Sequence, residues 1–447
     1  MATIREEFDW HGPIVAISEM HSAASSSLVR HSGEALFAEL SPSPVAAASL
    51  AQVYRGELTD GTRVAVKVQR PGLLEQVGLD FFVLRLLLAA VNALFGISRS
   101  TKAVQGVLDE VGDGLFAELD FTREAEHIDR FTELYGARCP DVVVPRVVWS
   151  RTRPRVLTMT WLQGRKPREL NPAEKLRLVR AAGPCLALQL MDAGFLHCDP
   201  HEGNMMLLDD GRLGLLDFGL VAQMTPVHQE SMASAILNLL AGDYKALVPC
   251  FVGMGVLNAE AGDLRRPGVE KPFADALEEA LSDGDSRKMR VQGGGLDRRR
   301  AFGQLYEELS DLAFRYYFTL PSYYVLVMRS FVTLEGIAFA ADPSFNMYES
   351  AYPFALQRML RPRTALGRRL LRDAFLTEPE GRLKLLWLLE ERGGRTGRGA
   401  GRSTAATAAT AATGLRAALA ALLVPEGRAL RRVLREADSV GLIADLR

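Results

Sequence analysis

His197-Cys198-Asp199-Pro200-His201-Glu202-Gly203-Asn204, followed by Asp217-Phe218-Gly219, decides how this chain is read. The first stretch sets an Asp and, five residues on, an Asn. The second adds another Asp at the end of a short hydrophobic run. A carboxylate and an amide oxygen are hard donors suited to Mg²⁺, which keeps several waters and binds substrate phosphates beside one or two protein ligands. Glycine after Asp217-Phe218 gives the backbone freedom just past the acidic residue.

Working outward, Met205 to Leu208, Asp209-Asp210-Gly211 and Arg212 to Leu216 read as a hairpin leading into Asp217. Upstream, Gln52 to Leu58, the turn Thr59-Asp60-Gly61 and Arg63 to Val68 read as a second hairpin, broken by Pro71-Gly72. Lys67 stands near its end in Val64-Ala65-Val66-Lys67, where alternation can aim it at phosphate groups. Such a lysine needs a carboxylate to hold it, and Glu124, on a predicted helix, is the candidate. Leu73 to Leu94 and Val104 to Tyr135 have helical periodicity. Val142 to Trp149 and Arg155 to Leu162 are β-rich. Asn171-Pro172 starts a helix running to about Ala193. Residues 230–390 read as helices without comparable strand signals. Gly393 to Thr413 reads as a flexible linker, and Leu415 to Asp445 as a final helix.

The order implies an N-terminal segment (1–35), a β-rich lobe with inserted helices (36–164) and a helical lobe (165–390). A linker (391–414) and a C-terminal helix (415–447) follow. A cleft between two such lobes is a usual nucleotide site. With 447 residues, 48% apolar and 24% charged, the chain is long enough for a large core and has a globular composition. A formal net charge of -1 excludes a polyanion binder, so no nucleic-acid partner is expected. Cys139, Cys185, Cys198 and Cys250 are scattered without metal-site spacing and point to a reducing compartment. Cys198 lies inside the decisive stretch but lacks a basic activating partner. The longest apolar stretch, Phe81 to Ile97, is interrupted by Arg85 and Asn92 and falls short of the roughly 20 apolar residues of a spanning helix. It is expected to be a buried helix. Residues 361–447 carry 17 basic against 9 acidic residues, a solvated face or a membrane-surface contact.

Lysine, helix carboxylate, Asp199, Asn204 and Asp217 occur in the order and spacing of protein-kinase-like phosphotransferases. Asp199 is then the carboxylate that orients a nucleophile or accepts its proton. Asn204 and Asp217 are the metal positions, and Lys67 and Glu124 the phosphate-binding pair. His197 braces the loop. Two features depart from an ordinary kinase. No Gly-x-Gly-x-x-Gly precedes the hairpin. Pro44-Val45-Ala46-Ala47-Ala48-Ser49-Leu50-Ala51-Gln52 stands there instead, a stiffer loop because alanines do not visit the φ > 0 conformations open to glycine. Also, only about ten residues separate Gly219 from a helical stretch near Glu230, with no Ala-Pro-Glu. A long activation segment has little room.

The segment Pro44 to Gly72, with Ala46-Ala47-Ala48-Ser49 and Val64-Ala65-Val66-Lys67, closely resembles the ABC1/UbiB family of atypical kinases. So do Glu118-x-Asp120, His197-x-Asp199-Pro200-His201-x-Gly203-Asn204 and Leu216-Asp217-Phe218-Gly219-Leu220. The resemblance covers roughly residues 36 to 360, and its wording is most like plastid and cyanobacterial members. It implies an α+β, two-lobe, atypical protein-kinase-like fold with family-specific helical additions. ATP would be held by Ala46, Ala47, Ala48, Ser49, Gln52, Val53, Ala65, Lys67, Glu118 and Asp120. Mg²⁺ would sit on Asn204 and Asp217, with Asp199, Lys67 and Glu124 carrying the chemistry. It further implies an ATP-dependent kinase or ATPase in isoprenoid quinone or prenyl-lipid metabolism, in chloroplasts at plastoglobules or thylakoids. A protein kinase acting on plastid proteins and a non-catalytic ATP-binding scaffold at lipid droplets are the alternatives. The family's Lys-x-Gly-Gln motif, which the resemblance implies would cover the cleft and restrain protein phosphorylation, is not found upstream of the alanine-rich loop. The expectation is a truncated N-terminus, transit peptide included, or a member without that restraint. Glu202 stands where many members have Pro.

Overall fold

A computed structural model describes residues 1–9, 35–47, 50–95, 119–241, 243–257, 272–279, 322–342, 347–377 and 382–383, with single positions 14, 112, 116, 312 and 316. The chain divides into two units. One comprises Met1–Arg165 with Leu208–Leu220, the other Lys166–Leu207 with Val221–Arg447.

The first unit is built on a five-stranded sheet. β1 (Glu39–Leu40), β3 (Ala51–Glu57), β4 (Arg63–Gln69) and β6 (Val156–Thr160) lie side by side, and β2 (Ala46–Ala47) adds to β3. β3, β4 and β6 run antiparallel, pairing Lys67 with Val53 on one side and Leu157 on the other. Alternation along β4 buries Val64, Val66 and Val68 against Phe37, Leu40 and Val156. Short α1 (Ala2–Phe8) brings Ile4 into the same core, and Glu7 pairs with Arg155. No periodic pattern announced this helix, because its seven residues hold only two large apolar ones, Ile4 and Phe8.

α2 (Leu73–Phe95) follows β4. The expectation of a buried helix is corrected. Leu79, Phe82, Leu86 and Leu87 are more than half exposed, and on the inner side Val77 is buried while Phe81 meets the ring of Phe116. The helix is apolar on nearly every face, so no one-sided stripe distinguishes its covered side from its open one. Among the described residues, no helix is long and apolar enough to cross a membrane. The expected helix from Val104 to Tyr135 is also corrected. Asp120 is extended, and α3 begins after it as Phe121–Tyr135. The Asp120 carboxylate caps α3 by accepting from the backbone N–H and hydroxyl of Thr122. Val142 to Trp149 yields only β5 (Val142–Val143), paired parallel with β10 (Leu213–Leu215), before a 3₁₀ turn at Trp149–Arg151, and the short β7 (Gly164–Arg165) follows β6.

The second unit is mainly helical. Its α4 (Pro172–Leu188) starts where the sequence signals it. Asn171 accepts from the Glu174 N–H at 3.0 Å, and Glu174 reaches back to the Asn171 N–H at 3.0 Å. Pro172 occupies the first helical position, where its missing N–H costs nothing. Asn171→Ala should therefore cost about 1 kcal/mol of stability by chemical denaturation. An unchanged unfolding midpoint would show that the cap carries no weight. The helix passes into a π turn at Gln189–Ala193. β8 (Phe195–His197) and β11 (Val221–Gln223) pair antiparallel. β9 (Met205–Leu208) ends in a tight turn closed by the Gly211 N–H on the Leu208 carbonyl.

α5 (Pro226–Ala241), α6 (Leu247–Gly253), α7 (Ser322–Phe339), α8 (Met347–Met359) and α9 (Ala365–Phe375) are the second unit's further helices among the described residues. Glu230 of α5 is fully buried. It pairs with the buried Arg358 at 3.4 Å and accepts from Thr364 at the start of α9, satisfying open N–H groups there. A two-stranded pair, Leu376–Thr377 with Arg382–Leu383, corrects the all-helical expectation for residues 230–390. Two residues per strand are too few to leave an alternating signal. The expected linker at Gly393 to Thr413 and helix at Leu415 to Asp445 lie outside the described residues.

Candidate functional site

Lys67, Glu124 and Asp217 meet within the first unit. Lys67 points off an interior strand, where it is fixed from both sides by the ladder to β3 and β6. Its Nζ donates to Glu124 Oε2 at 2.7 Å and Oε1 at 2.9 Å, and to Asp217 Oδ2 at 3.0 Å. The Phe121 ring lies beneath it, 5.2 Å from Nζ. Burial pushes the Lys67 ammonium toward neutrality, but the two carboxylates outweigh that and raise its pKa. Lys67 is thus held cationic. Glu124 sits in the first turn of α3, buried, where the helix dipole favours an acidic side chain.

Phe218 ties this set together. Its side chain is fully buried and meets Phe131 edge-on at 5.1 Å. Its N–H donates to Glu124 Oε1 at 3.4 Å, and its carbonyl meets His127 Nδ1 at 2.9 Å. Asp217 Oδ1 accepts from the Gly219 N–H at 2.9 Å. A side chain at 219 would stand 3.2 Å from that oxygen, so glycine keeps the close approach free.

Asp199, Asn204 and their loop belong to the second unit. The loop is stabilised by its own backbone. Asp199 O accepts from the His201 N–H at 2.9 Å and from Asn204 Nδ2 at 3.1 Å. With its NH₂ so engaged, the Asn204 amide directs its carbonyl oxygen elsewhere, and that oxygen is the donor a hard cation takes. Buried His197 braces the loop from β8. Its N–H donates to Gln189 Oε1 of the π turn at 2.9 Å, and its Nδ1 faces the Asp199 N–H at 3.4 Å. His201 Nδ1 accepts from the Gly203 N–H at 2.8 Å. A Cβ at 203 would fall 2.5 Å from the His201 ring, so a larger residue there would displace that ring and its bond to the Gly203 N–H.

Cys198 is buried, and burial pushes its thiol up to about 12. It is chemically quiet and no nucleophile. Asp199 Oδ1 accepts from Arg329 Nη2 of α7 at 2.8 Å, and His201 Nε2 stands 3.6 Å from Oδ2. Sequence reading missed Arg329, because one arginine 130 residues downstream on a helix carries no local signal.

The remaining expected positions fall as follows. Ala46 and Ala47 form β2, an exposed edge strand registered on Val53 and Gln52. Gln52 Oε1 accepts from the Tyr54 hydroxyl at 3.0 Å. Ala65 is buried beside Lys67. Asp120 spends its carboxylate on the α3 cap. Ala48, Ser49 and Glu118 lie outside the described residues. Among the described residues, no three His, Cys, Asp or Glu side chains gather as a protein-only metal cage. In the first unit Asp217 presents a partly exposed carboxylate, and in the second unit Asn204 presents an amide oxygen; both are hard oxygen donors.

The sequence profile of the ABC1 atypical kinase-like domain matches residues 13–250, more than half of the chain. The chain belongs to the ABC1 atypical kinase family. It is 33% identical over 352 residues to an uncharacterized protein of the cyanobacterium Synechocystis, covering 77% of this chain and 49% of that one. It is 34% identical to Arabidopsis thaliana ACTIVITY OF BC1 COMPLEX KINASE 3, chloroplastic, covering 73% and 44%. It spans about half the length of the curated relatives it matches. The solved Rv3197–erythromycin complex from Mycobacterium tuberculosis aligns at a TM-score of 0.47 and 27% identity, covering 68% of this chain and 73% of that one. The chain is thus an ABC1 domain of the plastid and cyanobacterial type, with a kinase-like mix of helices and sheets.

Proposed function

We propose that this ABC1 chain is an ATP- and Mg²⁺-dependent atypical kinase or ATPase that works on a small or lipidic acceptor in plastid prenyl-lipid or quinone metabolism. One observation carries the reading: Lys67 is held by Glu124 and Asp217 at 2.7–3.0 Å. A lysine fixed between two carboxylates is poised to neutralise phosphate charge, and Asp217 keeps a partly exposed carboxylate for a cation. Bound Mg²⁺ supplies Lewis-acid neutralisation of the phosphate oxygens. Lys67 would orient the phosphates, Asp217 and Asn204 would hold the cation, and Asp199 would orient or deprotonate the acceptor hydroxyl. The plastid assignment rests on the chloroplastic relatives, and the prenyl-lipid assignment on the family resemblance.

The short segment after Gly219 supports a small acceptor over a protein. β11 pairs with β8 almost at once and α5 begins at Pro226, so residues 220–225 are all that stand where peptide-binding kinases carry an activation segment.

Phosphate release from MgATP, with and without lipid vesicles, should fall about 10²-fold in Lys67→Ala. Equal release by the variant and the unmodified protein would remove the basis for this reading. Tight nucleotide binding without turnover in the unmodified protein, even with prenyl-lipid precursors, would favour a non-catalytic scaffold.

A further inference from the structure

We infer that Arg329 is a positioning residue that aims the Asp199 carboxylate. The inference rests on the function proposed above and deepens it at the acceptor end. Asp199 lies on a loop, and a loop carboxylate by itself has free rotation about two side-chain bonds. Arg329 removes that freedom by donating Nη2 to Oδ1 at 2.8 Å. An arginine–carboxylate bond is charge-assisted and directional, so it fixes orientation as well as charge.

The helix that carries Arg329 is itself anchored. Tyr324, Val327, Met328, Phe331, Leu334 and Ala338 of α7 are buried at helical spacing. The adjacent residue, Ser330, is buried, and its hydroxyl is shared between the Cys198 carbonyl at 3.1 Å and the Leu326 carbonyl of its own helix at 3.0 Å. Two successive residues of one packed helix thus grip two successive residues of the loop. Arg329 is therefore no wandering surface cation, although its side chain is half exposed. An ion pair between two mobile exposed side chains contributes little, because ordering both offsets the Coulomb gain. Here the helix is ordered by its core, and the loop is ordered by the bonds to Asp199 O.

The geometry divides the work of the carboxylate. Oδ1 is committed to Arg329, and among the described residues Oδ2 has only His201 at 3.6 Å, beyond hydrogen-bond distance. Oδ2 is thus the oxygen left to meet an acceptor hydroxyl or a water. Arg329 contributes through Asp199 rather than through the nucleotide, so its loss should lower turnover without weakening MgATP binding.

The test compares the unmodified protein, Arg329→Ala and Arg329→Lys in steady-state MgATP turnover and in MgATP titration. Arg329→Ala should lose about 10- to 100-fold in kcat, the scale of a misplaced reacting group, with KM and Kd for MgATP within about twofold. Arg329→Lys should recover part of the loss, since it keeps the charge without the planar fork. Unchanged kcat in Arg329→Ala would overturn the inference. So would a raised MgATP KM at constant kcat, which would mean the guanidinium binds phosphate. A second arm needs no turnover: thermal unfolding of Asp199→Asn, Arg329→Ala and the double variant. Coupled residues give a double variant whose loss is smaller than the sum of the two single losses. Strictly additive shifts would overturn the inference. A protein that turns over no nucleotide would defeat the proposed function, and this arm would still decide the role of Arg329.

Discussion

Asp217→Asn is expected to lower Mg²⁺-dependent nucleotide turnover by about 10³-fold or more while leaving the protein folded. The substitution keeps the shape of the side chain and removes its charge. The amide oxygen can still accept from the Gly219 N–H, now 2.9 Å from Oδ1, so the turn survives. Two things are lost. Lys67 keeps Glu124 but loses the second carboxylate that raises its pKa. The proposed Mg²⁺ would lose its anionic oxygen, and a neutral amide is a poorer partner for a divalent ion crowded by phosphates. Phosphate release from MgATP, read beside an unfolding curve, checks both halves. Turnover within a few-fold of the unmodified protein would contradict the metal role proposed for Asp217.

Phe218→Ala should produce the largest loss of stability, about 3–5 kcal/mol. The ring is fully buried and packs edge-on against Phe131 of α3, which is itself buried beside Tyr135. Truncation deletes that apolar area and leaves a cavity the surrounding helix and strands fill only in part. The backbone on either side bonds to Glu124 and His127, so the cavity lies directly under the Lys67 anchor. Thermal unfolding should begin well below that of the unmodified protein. Turnover measured below the new transition should fall as well, because Glu124 and Asp217 lose their shared support. An unfolding profile that does not move would mean the ring is not the keystone of this unit.

How far the sequence speaks depends on how local the signal is. Hairpin β3–β4 and the helix start at Asn171 were legible because turn and cap chemistry act over four to six residues. Lys67 and Asp217, which the structure brings together, were legible because each stands in a short local motif. Glu124 was found by its place on a helix, but the start of that helix was not. The cap at Asp120 was hidden inside a long apolar-periodic run. α2 misled for a related reason: an apolar sequence implies burial only when something covers it, and neighbours are not written locally. Arg329 and the Glu230–Arg358 pair were invisible because each joins residues roughly 130 positions apart. Such partners are chosen by packing between helices, and a single sequence records that choice only as two ordinary charges.

The most direct test of the reading is calorimetric titration of ATP into the unmodified protein and Asp217→Asn, each with Mg²⁺ and with chelator. The proposed function requires that the unmodified protein bind ATP more tightly with Mg²⁺ than without, and that Asp217→Asn lose most of that difference. Binding by the unmodified protein that ignores Mg²⁺, or a Mg²⁺ effect of equal size in both proteins, would contradict it.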